Sequence, residues 1–241
     1  MMKFSVLTLF PEMMQALGES IIGRAIEKNI ISTEYINIRS FSNDKHKRVD
    51  DYPYGACGGM VMQPQPIYDA YKSVAGEGKP HVIYMSPQGK TLTQQKAREL
   101  SQKEHIVILC GHYEGVDERI IEEIVDEEIS IGDYVLTGGE LPAMVLIDCV
   151  CRMVEGVLDS AETAEIESHY NGLLEYPQYT RPPVFMDREV PPILLSGHHA
   201  NIEKWRREQS ILRTYKKRPE LLEKAQLTEK EKLWLEDIKN S

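Results

Sequence analysis

Short apolar segments rich in β-branched residues, each followed by a turn signal, constrain the fold of this chain more than any other feature. They lie at residues 4–9, 81–85 and 105–110. Their length and composition are typical of buried strands. Helical patterns separate them, at residues 20–29, 65–75 and 93–101. Because strands that alternate with helices usually form a mostly parallel sheet, the pattern predicts an α/β domain.

The loops at the carboxyl ends of these strands are the expected ligand site, because parallel sheets bind ligands at that edge. We expect the loops after Met85, Cys110 and Leu136 to share one rim. These loops are rich in glycine and proline but carry almost no lysine or arginine. Their acidic residues are Glu114, Asp133 and Glu140.

The shortage of cations bears on the kind of ligand. A loop that binds phosphates usually combines stacked backbone N–H groups with a Lys or Arg, and neither G-x-G-x-x-G nor G-x-x-x-x-G-K-[ST] occurs here. Acidic, glycine-lined loops with Tyr113 and Tyr134 suit a neutral or cationic ligand that has an aromatic base. S-adenosylmethionine fits, since it has an adenine, a positive sulfonium and no phosphate. The alternative, that the glycines only allow tight turns and close packing, stays open at this point.

The charge distribution bears on a nucleic-acid partner. The net charge of −10 would by itself argue against one, since binding a polyanion requires local cations. However, residues 201–218 carry seven lysines and arginines against two glutamates. This basic helical segment is compatible with RNA binding, and equally with a solvated helix face.

Other sequence features limit the class of protein. No apolar segment is long enough to span a bilayer, and the first residues run into Pro11-Glu12 without a cleavage site, which predicts a soluble, cytoplasmic protein. No C-x-x-C pair and no H-E-x-x-H motif occurs, so we predict reduced thiols and no metal site. The cysteines are Cys57, Cys110, Cys149 and Cys151.

The domain organisation follows from where the periodic pattern stops. Residues 1–157 form the predicted α/β domain, which ends with a helix at 140–154. The polar, acidic segment 158–176 is predicted to be a linker or mobile lid. Residues 177–241 form a small helical domain, with helices predicted at 201–217, at 221–225 and after a capping box at Thr228-Glu-Lys-Glu231.

Seven motifs carry a resemblance to a known family. The chain resembles the bacterial tRNA (guanine-N1)-methyltransferases of the TrmD type from the first strand to the C-terminal helices. Motifs of this length in this order are far more specific than a single glycine pattern. They are LFPEM at residues 9–13, VDDYPYG at 49–55, SPQG at 86–89, GHYEGVDER at 111–119, IGDYVLTGGELPAM at 131–144, YTRP at 179–182 and VPPILLSG at 190–197.

The resemblance implies a fold, a cofactor and an activity. The fold is the SPOUT class, an α/β domain with a deep trefoil knot that binds S-adenosylmethionine, in a homodimer whose active site is shared across the interface. The activity is methylation of N1 of guanine at position 37 of tRNA, next to the anticodon. The implied cofactor-binding residues are Pro87, Gly111, Tyr113, Glu114, Gly115, Ile131, Gly132, Asp133, Tyr134, Val135, Leu136, Gly138, Gly139 and Pro142.

The resemblance also implies two catalytic residues. An arginine at the end of the knot helix matches Arg152, and the usual aspartate base falls on Glu167. The family commonly has Asp-Ser-Phe where this chain has Glu167-Ser168-His169, so the carboxylate has one more methylene. We expect Glu167 to act as the base if the segment shifts to absorb that length. The open alternatives are His169, or Asp159 with Glu162 or Glu165.

The resemblance also implies that side chains of the basic helix contact the phosphates of tRNA. The implied tRNA-binding residues are Arg181, Ser196, His199, Lys204, Arg206, Arg207 and Arg213. Three other interpretations are kept: a catalytically silent homologue, a knotted methyltransferase of another RNA atom, and a generic nucleotide-binding α/β protein. The shortage of cations on the rim argues against the last.

Overall fold

A computed structural model of the protein describes residues 1–55, 58–76, 78–158 and 167–239. Contacts divide the chain into two compact units, Met1–Asp159 and Ser160–Ser241, and each unit has its own apolar core. No helix among the described residues is long and apolar enough to cross a membrane.

The first unit contains a central parallel sheet with helices on both faces. Its strands are β1 Met2–Thr8, β2 Ile31–Asn37, β3 Asp50–Asp51, β4 Val61–Met62, β5 His81–Thr91, β6 His105–Cys110 and β7 Glu127–Ser130. Its α-helices are α1 Ser20–Glu27, α2 Pro64–Ala75, α3 Gln94–Leu100, α4 Glu118–Ile124 and α5 Glu140–Cys151, and 3₁₀ helices lie at Pro11–Gly18 and Ile38–Phe41.

Five strands form the sheet in the order β2-β1-β6-β5-β7, all parallel, while β3 and β4 make a separate antiparallel pair. The predicted α/β class with a parallel sheet is therefore confirmed. Side chains alternate along β6, so that Ile106 and Ile108 join the core beneath α5 while Val107 and Leu109 join the core beneath α2. A sheet buried on both faces explains why its central strands are almost wholly apolar in sequence.

The structure corrects several predicted boundaries. The rim loop expected after Leu136 begins after Ser130, where β7 ends. The Ser130 hydroxyl accepts a hydrogen bond from Gly132 N at 3.1 Å and so starts a turn. β5 continues to Thr91 instead of ending at Met85. Met85 and Lys90 both pair with Ile129, so the segment 86–89 bulges out of the strand. The bulge keeps the predicted turn but places it inside a longer strand.

Two strands of the five-stranded sheet and one α-helix of the first unit were absent from the prediction. β2 is only half-buried along most of its length, and β7 contains two glutamates, so neither has the apolar pattern of a central strand. Both are edge strands of the sheet. Helix α4 occupies the acidic segment that follows Asp117, whose side chain caps it by accepting a hydrogen bond from Arg119 N.

The second unit contains β8 Val184–Phe185, β9 Arg188–Glu189, α6 Pro192–Leu195, α7 His199–Lys217, a 3₁₀ helix at Pro219–Glu223 and α8 Glu229–Lys239. Its core has Leu173, Ile211 and Leu235 at the centre. Thr228 and Glu231 form the predicted capping box, in which Thr228 N donates to Glu231 Oε2 at 2.8 Å. The expectation of an all-helical part needs one correction, because β8 and β9 pair as an antiparallel ribbon. The segment predicted as a helix at 221–225 is the 3₁₀ turn.

Candidate cofactor and active site

A cavity of about 420 Å³ lies at the carboxyl ends of β5, β6 and β7. Its walls are the bulge at 86–88, the loop after β6 at 111–116 and the segment 131–139 between β7 and α5. The structure brings thirteen of the predicted cofactor-binding residues together on this lining, and Asp133 alone of the set is not on it. The thirteen are Pro87, Gly111, Tyr113, Glu114, Gly115, Ile131, Gly132, Tyr134, Val135, Leu136, Gly138, Gly139 and Pro142. Their role in cofactor binding stays a prediction.

The glycines of the cavity are required by close approach of the backbone. A Cβ atom on Gly139 would lie 2.7 Å from Cys110 Cα, and one on Gly138 would lie 2.2 Å from His112 Cε1. Gly139 N donates to Gly111 O at 3.0 Å, which fixes the start of α5 against the end of β6. The glycine pair thus lets the segment 131–139 return to the sheet and close the cavity.

The electrostatic character of the cavity comes from carboxylates. Among the described lining residues there is no lysine or arginine, whereas Glu114, Glu118 and Glu128 all belong to the lining. Burial raises the pKa of Tyr84 to about 12, with Glu128 and Glu118 adding to the shift. The cavity therefore favours a neutral or cationic ligand over a phosphorylated one.

The sequence prediction missed several members of this lining. Glu118 and Glu128 lie in α4 and β7, the elements that were not predicted, and Tyr84 faces Gly111 from β5. His112 lies inside the motif at residues 111–119, of which Tyr113 but not His112 was predicted to bind the ligand. The signal that could have identified the two glutamates is the run of acids after the β6 loop, once its helical spacing is assigned.

Glu140 does not belong to the rim, which corrects the expectation for its charge. Its side chain is 1% exposed. It accepts hydrogen bonds from Thr8 Oγ1 at 2.5 Å and from His112 Nε2 at 2.7 Å. The negative side chains at the cavity are accordingly Glu114, Glu118 and Glu128.

Comparison with known proteins decides the family. The profile described as tRNA (Guanine-1)-methyltransferase TrmD matches residues 2–224. This chain belongs to that family. A tRNA (guanine-N(1)-)-methyltransferase of Ruminiclostridium cellulolyticum is 65% identical over 226 residues, which cover 92% of this chain and 97% of that protein. A protein of the same name from Clostridium botulinum strain 657 is 56% identical, over 98% of this chain and 98% of its own length. Another, from Lachnoclostridium phytofermentans, is 52% identical, over 99% of this chain and 97% of its own length.

The resemblance seen in the motifs is therefore confirmed, together with the prediction that the chain is a transferase of this class. The two catalytic residues that the resemblance implies are Arg152 and Glu167. Arg152 follows the last residue of α5 and donates its backbone N–H to Asp148 O at 3.2 Å. It lines a smaller cavity of about 170 Å³ next to α1 and the first 3₁₀ helix.

Glu167 lies in the second unit, where its carbonyl accepts a hydrogen bond from Tyr170 N at 3.3 Å. His169 is exposed with φ of 73°, and its N–H donates to Leu173 O at 2.8 Å. The other candidate bases, Asp159, Glu162 and Glu165, lie outside the described residues.

Three of the implied tRNA-binding residues lie before α7 or at its first residue, and all three are exposed. They are Arg181, Ser196 and His199. Ser196 Oγ donates to Ile193 O at 2.7 Å and so ends the short helix α6.

The basic side chains of α7 differ in how closely they are held by partners within the protein. Arg207 donates to both carboxylate oxygens of Glu231 at 2.8 and 3.2 Å and to Gln226 O at 2.8 Å, so it joins α7 to the start of α8. Arg206 lies 4.8 Å from the ring centre of Tyr176. Lys204 is 77% exposed on its side chain, with Glu208 at 3.9 Å. Lys204 therefore has more free donors for a phosphate than Arg207 has.

Thiol chemistry has no place at this site. Burial raises the pKa of Cys110 and of Cys151, which both belong to one apolar core of the first unit. Cys149 is half-buried, and burial raises its pKa as well. These thiols stay protonated at neutral pH and are poor nucleophiles, whereas Cys57 lies outside the described residues.

Proposed function

We propose that this TrmD family member methylates N1 of guanine at position 37 of tRNA, next to the anticodon, with S-adenosylmethionine as the methyl donor. The curated relatives carry the name tRNA (guanine-N(1)-)-methyltransferase. The observation that carries the proposal in this chain is the glycine-lined cavity, whose described lining has three glutamates and no lysine or arginine.

The cavity suits this donor in size and charge. Its volume of about 420 Å³ lies in the range of small-molecule sites, roughly 300 to 1,000 Å³. When bound, S-adenosylmethionine supplies an electrophilic methyl group on a positively charged sulfur. Ile131 to Leu136 would wall the adenine, and backbone groups around Gly111 and Gly139 would provide its hydrogen bonds. A site built from backbone needs no cation, because the ligand has no phosphate.

The target nitrogen determines what the protein must add. N1 of guanine carries a proton, which has to leave as the new N1–carbon bond forms. In our proposal the carboxylate of Glu167 accepts that proton as a general base. Arg152 stabilises the negative charge that develops on O6 of the base. The longer side chain of Glu167 can serve because a general base needs reach to the proton more than a fixed length.

The substrate determines the remaining parts. N1 lies on the Watson–Crick edge, so the guanine must be splayed out of the anticodon loop before it can react. The basic side chains of α7 would position the anticodon stem through its phosphates, with Lys204 and Arg213 as the first candidates. We further propose a trefoil knot in the first unit, a homodimer with shared active sites, and a cytoplasmic location where tRNA is present. The proposed parts are residues 1–157 for the cofactor, 158–176 as a lid and 177–241 for tRNA.

Methyl transfer to defined transcripts tests the proposal. The purified protein is incubated with S-adenosylmethionine and a tRNA that has guanine at positions 36 and 37, and with a control changed only at 36. The modified nucleoside is then identified by mass spectrometry. We expect N1-methylguanosine in the first transcript and much less in the second.

The other outcomes separate the alternatives. A methylated ribose would support a knotted methyltransferase of a different RNA atom. Tight binding of S-adenosylhomocysteine without any transfer would support a silent homologue, for which the change to Glu167-Ser168-His169 is the sequence argument. Tighter binding of a nucleoside triphosphate than of S-adenosylhomocysteine would overturn the assigned cofactor.

A further inference from the structure

Glu140 is a buried carboxylate that connects three parts of the first unit. It is 1% exposed and begins α5, directly after the glycine pair. Thr8 Oγ1, at the end of β1, donates to its Oε1 at 2.5 Å. His112 Nε2, in the loop after β6, lies 2.9 Å from Oε1 and 2.7 Å from Oε2. A carboxylate only accepts hydrogen bonds, so Nε2 of His112 is the donor.

A carboxylate suits these contacts better than an amide. Both oxygens of Glu140 accept, whereas a glutamine would present an N–H₂ group in place of one of them, which His112 Nε2 could accept only in its other tautomer, with the proton on Nδ1. A buried charge is also costly unless hydrogen bonds or an opposite charge compensate it. Thr8 and His112 supply that compensation here.

The same cluster fixes two walls of the cavity to each other. His112 and Gly138 form an isolated antiparallel bridge, and a Cβ on Gly138 would lie 2.7 Å from Glu140 Oε2. The ring of His112 packs edge-on to Phe10 at 5.0 Å between centroids, and Phe10 N donates to Thr8 Oγ1 at 2.9 Å. His112 and Gly138 belong to the cavity lining, whereas Glu140 and Thr8 do not.

We propose that Glu140 is a positioning residue for the methyl donor, acting through His112 and supported by Thr8. It sets the spacing between the loop after β6 and the segment 131–139, which both line the cavity. The role rests on the proposed function, because it assumes that this cavity binds the donor. It predicts that cofactor affinity depends on a hydroxyl that lines no part of the cavity.

Thr8 gives the sharpest test because it is remote from the ligand. Thr8→Val keeps the shape but removes both the donor to Glu140 and the acceptor of Phe10 N, and Thr8→Ser keeps the hydroxyl. We expect Thr8→Val to raise the Kd for S-adenosylhomocysteine, measured by calorimetry, by on the order of tenfold, the size of one lost hydrogen bond to a charged group. The KM for S-adenosylmethionine should rise in parallel, with kcat at saturating donor changed less than about twofold. Thr8→Ser should restore most of the affinity.

Glu140→Gln is the second variant, with a rise in Kd expected because the amide requires the other tautomer of His112 and removes the hydrogen bonds to a charged group. Ile67→Val, in the core on the other face of the sheet, is the control for a general loss of stability. It should lower the melting temperature without moving the KM.

Three results would count against the proposal in different ways. A Kd for Thr8→Val and Glu140→Gln within twofold of wild type, in folded protein, overturns the positioning role alone. An equal rise of KM in Ile67→Val at a matched drop in melting temperature also overturns it, because it reduces the effect to stability. A wild-type protein that does not bind S-adenosylhomocysteine overturns the proposed function and this role together.

Discussion

The two units of the chain differ in how they present polar groups. The first unit forms its cavity from glycines, backbone groups and three glutamates, with no lysine or arginine among the described lining residues. The second unit has six lysines and arginines on the long side chains of one helix, α7. Backbone groups at fixed positions suit a small ligand of defined shape, whereas flexible cations suit a polyanion. The division explains how a chain of net charge −10 can be expected to bind RNA.

The first unit also has a second cavity of similar volume whose lining residues differ in charge. This cavity of about 410 Å³ lies at the amino ends of β5 and β6. It is nearly as large as the cavity at the carboxyl ends but is lined by Lys79, Lys103, His81 and His105 together with Glu104 and Asp126. His81 is held by Glu127 at 2.7 Å and Lys79 approaches Asp126 at 3.7 Å. Two cavities of equal size on one sheet therefore offer very different surroundings to a ligand.

The largest expected effect tests whether the second unit supplies the general base. Glu167→Gln should lower the single-turnover rate of methyl transfer about 10²-fold or more, because the amide cannot accept the N1 proton. Glu167→Asp should retain most of the rate. Glu175→Gln, on the same segment, is the matched control and should leave the rate unchanged. Near wild-type rates for Glu167→Gln would assign the base elsewhere.

The next effect tests the backbone-built cavity of the first unit. Gly139→Ala places a Cβ 2.7 Å from Cys110 Cα, and neither backbone can move without opening the cavity. We expect the Kd for S-adenosylhomocysteine to rise about ten- to hundredfold, as an overpacked site costs roughly 1–3 kcal/mol. Gly78→Ala, where a Cβ meets nothing within 4 Å, should have no effect. Equal affinity of Gly139→Ala and Gly78→Ala for S-adenosylhomocysteine would show that binding does not depend on the close backbone approach at Gly139.

A third effect tests whether Arg207 serves the structure of the second unit. Hydrogen bonds from Arg207 hold the pKa of Glu231 at about 2, below its ordinary value of 4.5. Because the pKa is lower in the folded state, the stabilisation is complete above pH 4.5 and is lost as the pH falls toward 2. We expect it to be about 1–2 kcal/mol, allowing for partial exposure of the pair. Glu231→Gln should flatten this acid loss in urea unfolding curves, and an unchanged pH profile would contradict the role.

The smallest effect tests the cations of α7 as phosphate contacts. The double variant Lys204→Gln with Arg213→Gln should weaken tRNA binding about fivefold at low salt. It should also make the plot of log Kd against log salt shallower, by about 0.7 to 0.9 per lost contact. Lys79→Gln with Lys103→Gln changes the net charge equally but lies at the amino-end cavity. An equal effect of both pairs would reduce the role of α7 to net charge.

The sequence predicted the central strands because burial on both faces leaves an apolar run that local composition reveals. β6, with Ile106 to Cys110 buried, is the clearest case. β2 and β7 were missed because an edge strand is only partly buried, so its sequence keeps polar and acidic residues. The motifs likewise identified the loops that wall the cavity, since the chemistry of a site restricts residue types over consecutive positions.

By itself, the sequence determined the α/β class, the family and which loops lack cations, all of which depend on local patterns. Only the tertiary structure decided what individual charged side chains contact. Glu140 directly follows the glycine pair of a loop expected on the rim, yet its side chain contacts Thr8 and His112. Arg207 lies in a basic run, yet it is paired with Glu231. The physical reason is that a charge is satisfied by partners from distant parts of the chain. Thr8 and Glu140 are 132 residues apart, and no local pattern records which donors folding will bring to a carboxylate.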